Sequence, residues 1–183
     1  MRRLTFLLLF LSAGWLFADP SDPAPKKRQW DDPFPGVVQD ATQVRGFVGD
    51  YRWLSNFYPC TVTVEGVAFA SSEAAYQASK FPRSAWEPFT TLDPDSAKKL
   101  AHSRAFDEAA WDKRKDQAML GVVWAKFSQN PDLAARLLAT GDRYLEETNW
   151  WGDAYWGVFN GKGDNVFGKT LMEVRKRLKA AKP

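Results

Sequence analysis

Residues 61–81 read TVTVEGVAFASSEAAYQASKF, and this stretch decides the fold. Its first half places β-branched and apolar residues on both sides of a Glu-Gly pair, which predicts two short strands joined by a tight turn. Ser72 is placed to cap a helix that runs from Glu73 to about Phe81. We therefore expect a β-hairpin that leads directly into a helix.

Downstream of this stretch, capping residues and apolar residues at helical spacing predict four more helices. These helices begin after Asp93, Asp107, Asn130 and Asn165. The second is the longest, over about 108–129, and Gly141 suits the left-handed end of the third. Together with the hairpin, they predict a compact, mainly helical α+β single domain with a small β-hairpin or sheet over residues 46–180.

Residues 1–45 differ in composition from the rest of the chain. Residues 1–18 combine two arginines, an apolar run of fourteen residues and a final Ala18, which is the pattern of a secretory signal peptide. The run is shorter than the roughly 20 residues that cross a bilayer, so we expect no stable membrane anchor after cleavage. Residues 19–45 hold five prolines and little apolar periodicity, which predicts a Pro-rich linker or arm. The sequence thus predicts a secreted or periplasmic protein.

Composition excludes several classes of protein. The chain of 183 residues has one cysteine, Cys60, and one histidine, His102, so an intrachain disulfide framework and a Cys/His zinc site are excluded. A formal net charge of +3 does not support a broad nucleic-acid-binding surface. Nine tryptophans are too many to bury completely, so several should lie partly exposed or in a cleft. We expect catalysis, if present, to need no metal and no cofactor.

Glu73, Gln77 and Lys80 share one face of the helix that follows the hairpin, because they are spaced at i, i+4 and i+7. Glu73 also lies in the first turn, where the helix dipole favours a carboxylate. A solvated polar face has the same spacing, so the pattern alone leaves both interpretations open.

Lys115 interrupts an apolar stripe that includes Trp111 and Met119. A lysine in such a stripe either extends its ammonium to the edge of the apolar surface or is desolvated. Desolvation would lower its pKa and make it a usable nucleophile or base, whereas extension to the edge would give it no chemical role.

Two loops near the end of the chain are further candidates. Asp153 to Gly157 follow Trp150-Trp151, and such aromatic rings can stack on a planar base or form a structural plug. Gly161 and Gly163 precede Asn165 and the last helix, where a Gly-rich turn can present backbone N–H groups to a phosphate.

Six motifs, taken in order, resemble those of the NADAR family of YbiA-like proteins. They are LSNFYPC (54–60), SSEAAYQASKF (71–81), W-x3-K-x3-M (111–119), KFSQNPDLAARLLATGD (126–142), DAYWG (153–157) and GKGDNVFGKTLMEVR (161–175). The resemblance implies a compact, mainly helical α+β domain. It also implies hydrolysis of N-glycosidic bonds in riboflavin-pathway intermediates, other ribosyl-phosphate compounds or ADP-ribosylated guanine.

The resemblance also implies roles for particular residues. The catalytic candidates are Glu73, Lys115, Lys80 and Asp153. The substrate-binding candidates are Asn56, Phe57, Gln77, Trp111, Trp156, Gly157, Gly161, Gly163 and Asn165. The chain departs from the family at Ala74, where relatives usually have a His or aromatic residue, and at Ala101-His102, where they often have Gly-Arg.

The implied chemistry needs a carboxylate to stabilise positive charge at the anomeric carbon and an acid to protonate the leaving base. A desolvated lysine that traps the opened sugar as a Schiff base is an alternative route. The partner would be a nucleotide or an ADP-ribosyl compound, free or attached to nucleic acid. Two other functions are open: a non-catalytic ADP-ribose or nucleotide-binding module, and a secreted glycan-binding domain. The sequence does not indicate an oligomeric state.

Overall fold

The computed structural model describes residues 34–181, which form an α+β fold and confirm the predicted fold class. The strands are β1 (Val38–Gln39), β2 (Gln43–Arg45), β3 (Pro59–Val64), β4 (Val67–Ser71), β5 (Tyr144–Glu146), β6 (Thr148–Asn149) and β7 (Val158–Phe159). The helices are α1 (Ser72–Ala78), α2 (Pro94–His102), α3 (Glu108–Asp112), α4 (Lys115–Gln129), α5 (Pro131–Ala139) and α6 (Val166–Ala180). Short 3-10 helices cover Gly49–Leu54, Arg83–Ala85 and Glu87–Phe89.

The predicted hairpin is confirmed, because β3 and β4 pair antiparallel with Val64 opposite Val67. Glu65 and Gly66 have φ angles of 48° and 76°, the left-handed backbone that a two-residue turn of this type requires. The hairpin leads into α1 as expected, but the capping residue is Ser71, whose Oγ accepts a hydrogen bond from the Ala74 N–H at 3.0 Å. The predicted cap, Ser72, is the first residue of the helix.

The helix predicted over about 108–129 is broken between α3 and α4. Arg114 leaves the helical conformation, with φ −129° and ψ −5°. Its guanidinium donates a hydrogen bond to the Ser79 carbonyl at 2.8 Å and lies 4.8 Å from the centroid of the Trp111 ring. These tertiary contacts override the helical pattern, so Lys115 begins a new helix instead of continuing the stripe of Trp111.

The linker predicted over 19–45 is wrong for its last residues, because residues 38–45 contain two strands. Val44 in β2 is fully buried. β2 pairs parallel with β5 and antiparallel with β1 to form a three-stranded sheet. These partners lie far away in the sequence, so local composition does not reveal them. Residues 34–37 of the predicted arm form a turn that begins at the buried Phe34. Residues 19–33 and the predicted signal peptide lie outside the described residues.

A single core lies between α1, α4, α6 and the β3–β4 hairpin. Its largest fully buried apolar side chains include Phe69, Phe89, Phe127 and Phe167. Burying each such side chain stabilises the fold by roughly 1.5–3 kcal/mol. Within residues 34–181 no helix combines the length and apolar character needed to cross a membrane.

Candidate active site

A cavity of about 890 Å³ opens between α1, α2, the α3–α4 break and the loop that joins β6 to β7. Nine residues selected from the sequence line it: Asn56, Phe57, Glu73, Gln77, Lys80, Trp111, Lys115, Asp153 and Trp156. Other lining residues were not selected, among them Tyr76, Lys98, His102 and Glu147. The fold thus gathers into one site motifs that are up to 100 residues apart in the chain.

Glu73 is held in the cavity by two side-chain amides. Gln77 Nε2 donates a hydrogen bond to Glu73 Oε1 at 2.7 Å, and Asn56 Nδ2 donates a longer one to Oε2 at 3.4 Å. The Glu73 N–H also donates to the Asn56 carbonyl at 3.2 Å. Glu73 is only 6% exposed and Gln77 only 4%, so this helix face is not a solvated polar face.

Opposing effects act on the charge of Glu73. Burial raises the pKa of this carboxyl above its ordinary value, while the bond from Gln77, the charges of Lys98 and Lys80 and the bond from Asn56 lower it. The carboxylate form therefore has stabilising partners in a site that otherwise disfavours charge.

Glu147, between β5 and β6, is the functional candidate that the sequence reasoning missed. Burial, together with the charges of Asp153 and Glu73, raises the pKa of Glu147 to about 8, so Glu147 holds its proton at neutral pH. A signal was present in the sequence: Glu147 directly follows β5 and lies two residues after the fully buried Leu145.

Basic side chains line the cavity beside the carboxyl groups. Burial lowers the pKa of Lys80, although the charge of Glu73 partly restores it. The Lys80 ammonium lies 5.3 Å from the centroid of the Phe106 ring. Lys98 on α2 adds a second basic group, while burial and the charges of Lys80 and Lys98 lower the pKa of His102. The two lysines make this part of the cavity suit an anionic substituent.

Lys115 lies at the cavity edge, where its ammonium is partnered. Its Nζ is 3.1 Å from Asp112 Oδ1 and 4.1 Å from the centroid of the Tyr155 ring. The Tyr155 hydroxyl in turn donates to Asp116 Oδ1 at 2.6 Å. This arrangement matches the interpretation in which the lysine extends to the edge of the apolar surface.

Aromatic side chains form one wall of the cavity. The Tyr76 ring packs against Trp111 and Trp156, with centroids 5.2 and 5.6 Å apart. Trp150 and Trp151 lie edge to face with centroids 4.9 Å apart, and Trp151 is 44% exposed. Because all five rings line an open cavity, this group is more than a structural plug.

Asp153 organises the loop that carries this wall. Its Oδ1 accepts hydrogen bonds from the backbone N–H groups of Tyr155 at 3.0 Å and Trp156 at 2.8 Å. The Asn149 side chain holds the Asp153 backbone from the other side. Asp153 therefore has a clear structural role, and its predicted role as the second catalytic carboxylate stays a prediction.

The predicted phosphate site at the start of α6 is corrected by the structure. The N–H groups of residues 164–167 donate to the backbone carbonyls of Ala154, Gly157, Tyr155 and Trp156. These N–H groups are therefore not available to a phosphate. Gly163 serves this packing, because a Cβ at this position would overlap the Gly157 carbonyl oxygen.

Gly157 and Asn165 do not line the cavity but contact the backbone of Glu147, which does. A Cβ on Gly157 would overlap the Glu147 carbonyl oxygen. Asn165, with φ 52°, gives its side chain no capping role in α6. Instead Asn165 Oδ1 accepts from the Glu147 N–H at 3.1 Å, and Nδ2 donates to the Leu145 carbonyl at 3.0 Å. Gly161 also lies outside the cavity lining.

Lys126, on α4, is a buried cation next to the cavity floor. It is 1% exposed, and its Nζ donates to the Ser55 carbonyl at 2.8 Å. Burial lowers its pKa to about 7. Since Ser55, Asn56 and Phe57 line the cavity, Lys126 anchors the segment that holds Glu73.

Metal chemistry has no evident ligand set in the described part of the chain. Over residues 34–181, no group of three or more His, Cys, Asp or Glu side chains is arranged to bind a metal ion. The predictions of a metal-free and cofactor-free reaction stay predictions.

The fold and the cavity define an α+β domain of the YbiA type. The NMR structure of the Escherichia coli protein YbiA matches with a TM-score of 0.67 and 33% sequence identity, covering 78% of this chain and 88% of that one. The NADAR domain family model matches residues 45–179, so this chain belongs to the NADAR family. The resemblance drawn from the six motifs is thereby confirmed.

Curated relatives carry names that fit the predicted enzyme class. This chain is 36% identical over 133 residues to N-glycosidase YbiA of Escherichia coli, covering 70% of this chain and 82% of that protein. It is 35% identical over 136 residues to an N-glycosidase of Nostoc punctiforme, covering 70% and 86%. A riboflavin biosynthesis protein of Vibrio vulnificus is 38% identical over 138 residues, but the match covers 73% of this chain and only 37% of that protein. The family thus includes hydrolases of N-glycosyl bonds.

Proposed function

We propose that this chain is an N-glycosidase that hydrolyses the bond between ribose and a base in ribosyl-phosphate or ADP-ribosyl compounds. The observation that carries the proposal is the pair Glu73 and Glu147, two carboxyl groups in one cavity whose environments differ. Burial raises the pKa of both groups; hydrogen bonds from Gln77 and Asn56 oppose that rise at Glu73, whereas the charges of Asp153 and Glu73 add to it at Glu147. On this difference we assign Glu73 as the base and Glu147 as the acid.

The reaction uses these two groups in turn. Glu147 donates its proton to the leaving base as the C–N bond breaks, and the bonding electrons remain with the base nitrogen. Glu73 stabilises the positive charge that develops at the anomeric carbon and takes a proton from the water that attacks this carbon. Both carboxyl groups return to their starting states by exchange with solvent. The aromatic wall that includes Trp156 stacks on the base.

The lysines have a separate part in the proposal. Lys80 and Lys98 lie where a phosphate on the ribose would find positive charge. Lys80 is also the better candidate for the Schiff-base route, because burial lowers its pKa while Lys115 is partnered by Asp112. Borohydride reduction during turnover would trap an imine on Lys80, and the absence of such a product would exclude that route.

Residues 1–18 lead us to propose export. Export favours an extracellular nucleotide or an ADP-ribosylated target, including ADP-ribosylated nucleic acid, over a riboflavin-pathway intermediate. Mass spectrometry of the secreted or periplasmic protein should give a mature chain that begins near Asp19. Recovery of a cytosolic chain that still begins with Met1 would contradict export.

The activity is tested by incubating the purified protein with NAD, ADP-ribose, ADP-ribosylated guanosine and ribosyl-phosphate aminopyrimidines, and by following the released base by chromatography. We expect release from at least one compound, insensitivity to EDTA, and a rate lower by about 10²–10⁴ in Glu73→Gln. Tight binding without base release would favour the non-catalytic binding module. Activity that EDTA abolishes and a divalent ion restores would contradict metal-free catalysis.

A further inference from the structure

Two buried acceptor oxygens beside Glu73 make no hydrogen bond within the described residues. They are Asn56 Oδ1 and Gln77 Oε1, on side chains that are 5% and 4% exposed. Both residues line the cavity. A buried acceptor without a donor costs free energy, so a native protein that keeps two such atoms in a binding site has a use for them.

The orientation of both amides follows from Glu73. Both oxygens of Glu73 accept a hydrogen bond from a side-chain amide, so each amide turns its nitrogen toward Glu73 and its oxygen away from it. Gln77 Nε2 and Asn56 Nδ2 do so, and Asn56 Nδ2 also lies 3.2 Å from Met119 Sδ. The amide oxygens are consequently left for a different partner, and that partner must donate.

We propose that Asn56 Oδ1 and Gln77 Oε1 form a subsite for the vicinal diol of the sugar, so that the enzyme selects ribosyl over 2′-deoxyribosyl compounds. This inference rests on the proposed function, in which Glu73 faces the anomeric carbon. The 2′-hydroxyl is bonded to the next carbon of the ring, so it lies within reach of amides that touch Glu73. The 2′-hydroxyl then donates to Gln77 Oε1 and the 3′-hydroxyl to Asn56 Oδ1, and hydrogen bonds to the 2′-hydroxyl strengthen in the transition state.

The subsite is tested first by binding, which does not require turnover. Isothermal titration calorimetry of the full chain with ribose 5-phosphate and with 2-deoxyribose 5-phosphate compares sugars that differ by one hydroxyl. We expect ribose 5-phosphate to bind at least about tenfold more tightly, because a sugar without the 2-hydroxyl leaves a buried acceptor oxygen unpaired. Equal affinities would overturn the subsite, even if the protein proves to be an N-glycosidase.

A second measurement uses the ratio of kcat/KM for a ribosyl substrate to that for its 2′-deoxy analogue. We expect at least about a hundredfold preference in the wild type. In Gln77→Met, which keeps the side-chain length but removes the oxygen, the preference should fall severalfold or more whatever happens to the absolute rates. Gln129→Met is the matched control and should keep the wild-type ratio, because the Gln129 side chain bonds to the Thr63 backbone and does not line the cavity.

The outcomes separate the two proposals. Selective binding of ribose 5-phosphate without any base release would support the subsite and contradict the N-glycosidase. Base release with equal rates for both sugars would contradict the subsite alone. If kcat/KM changed with the base but not on removal of the 2′-hydroxyl, the amide oxygens would accept from the base. This outcome would also overturn the proposal.

Discussion

Replacing Glu147 with glutamine should abolish most of the activity and at the same time stabilise the protein at neutral and alkaline pH. Glutamine keeps the shape of the side chain but does not titrate or transfer a proton. Because Glu147 is proposed to protonate the leaving base, we expect kcat to fall by about 10²–10⁴. Wild-type turnover should also decline as pH rises through about 8, where Glu147 loses its proton.

The gain in stability follows from the raised pKa. Glu147 titrates at about 8 in the folded protein, against an ordinary value of 4.5. The folded state therefore holds this proton more tightly than the unfolded chain, and the stabilising contribution is complete below about pH 4.5 and is lost as pH rises through about 8. One pKa unit corresponds to about 1.4 kcal/mol, so the free energy of unfolding of Glu147→Gln should exceed that of the wild type by about 3 kcal/mol at pH 7.

Urea denaturation of both proteins at about pH 5, 7 and 9 measures this difference. The two free energies of unfolding should diverge with pH. Glu173→Gln is a suitable control, because Glu173 is exposed, pairs with Arg177 and lies outside the cavity lining. This variant should keep wild-type turnover and the wild-type slope of stability above pH 5. Parallel stability curves for Glu147→Gln and the wild type would refute the buried-acid assignment, and unchanged turnover would refute the catalytic one.

Three other substitutions test separate parts of the structure. Lys80→Met should lower kcat/KM for phosphorylated substrates at least about tenfold, whereas Lys115→Met should change it less than about threefold. A larger loss in Lys115→Met than in Lys80→Met, measured by steady-state kinetics, would contradict the role of Lys80 in binding phosphate. Gly163→Ala should lower the free energy of unfolding by about 1–3 kcal/mol in urea titrations, because its φ of 151° and the nearby Gly157 carbonyl exclude a Cβ, and a neutral result would refute the packing role. Lys126→Met should cost about 1–3 kcal/mol near pH 9 through the unpaired Ser55 carbonyl. That cost should shrink as pH falls from about 10.5 to about 7, the range in which the unfolded chain takes up a proton that the folded wild type does not, and a pH-independent cost would contradict the lowered pKa.

Elements of the fold that depend on adjacent residues could be predicted from the sequence. The hairpin could be predicted from its Glu-Gly turn. The start of α2 could be predicted from Asp93, whose side chain accepts a hydrogen bond from the Ser96 N–H at 3.0 Å. Elements that depend on distant partners could not be predicted. β2 is stabilised by its pairing with β5, about 100 residues away in the sequence. The break before α4 is stabilised by the hydrogen bond from Arg114 to the Ser79 carbonyl.

The candidate site divides in the same way. Glu73, Gln77 and Lys80 could be found because one helical turn places them together, and the family motifs supplied residues such as Asn56 and Trp156. The role expected of the Gly-rich turn was wrong, because hydrogen bonds to residues 154–157 occupy the N–H groups that would have bound phosphate. Glu147 was missed because its pKa depends on burial and on charges from two other elements.

The bond between Asn165 and Glu147 has a consequence for the timing of synthesis. Asn165 stands at the start of α6, the last helix of the described residues, and its side chain holds the backbone of Glu147 and Leu145. During synthesis Glu73 and Glu147 emerge before α6, so the backbone of the acid lacks this support until α6 docks, although the Val158 N–H already donates to the Glu147 carbonyl. A chain truncated before Asn165 would keep both carboxyl groups without this support, and we expect it to be less active than the full domain.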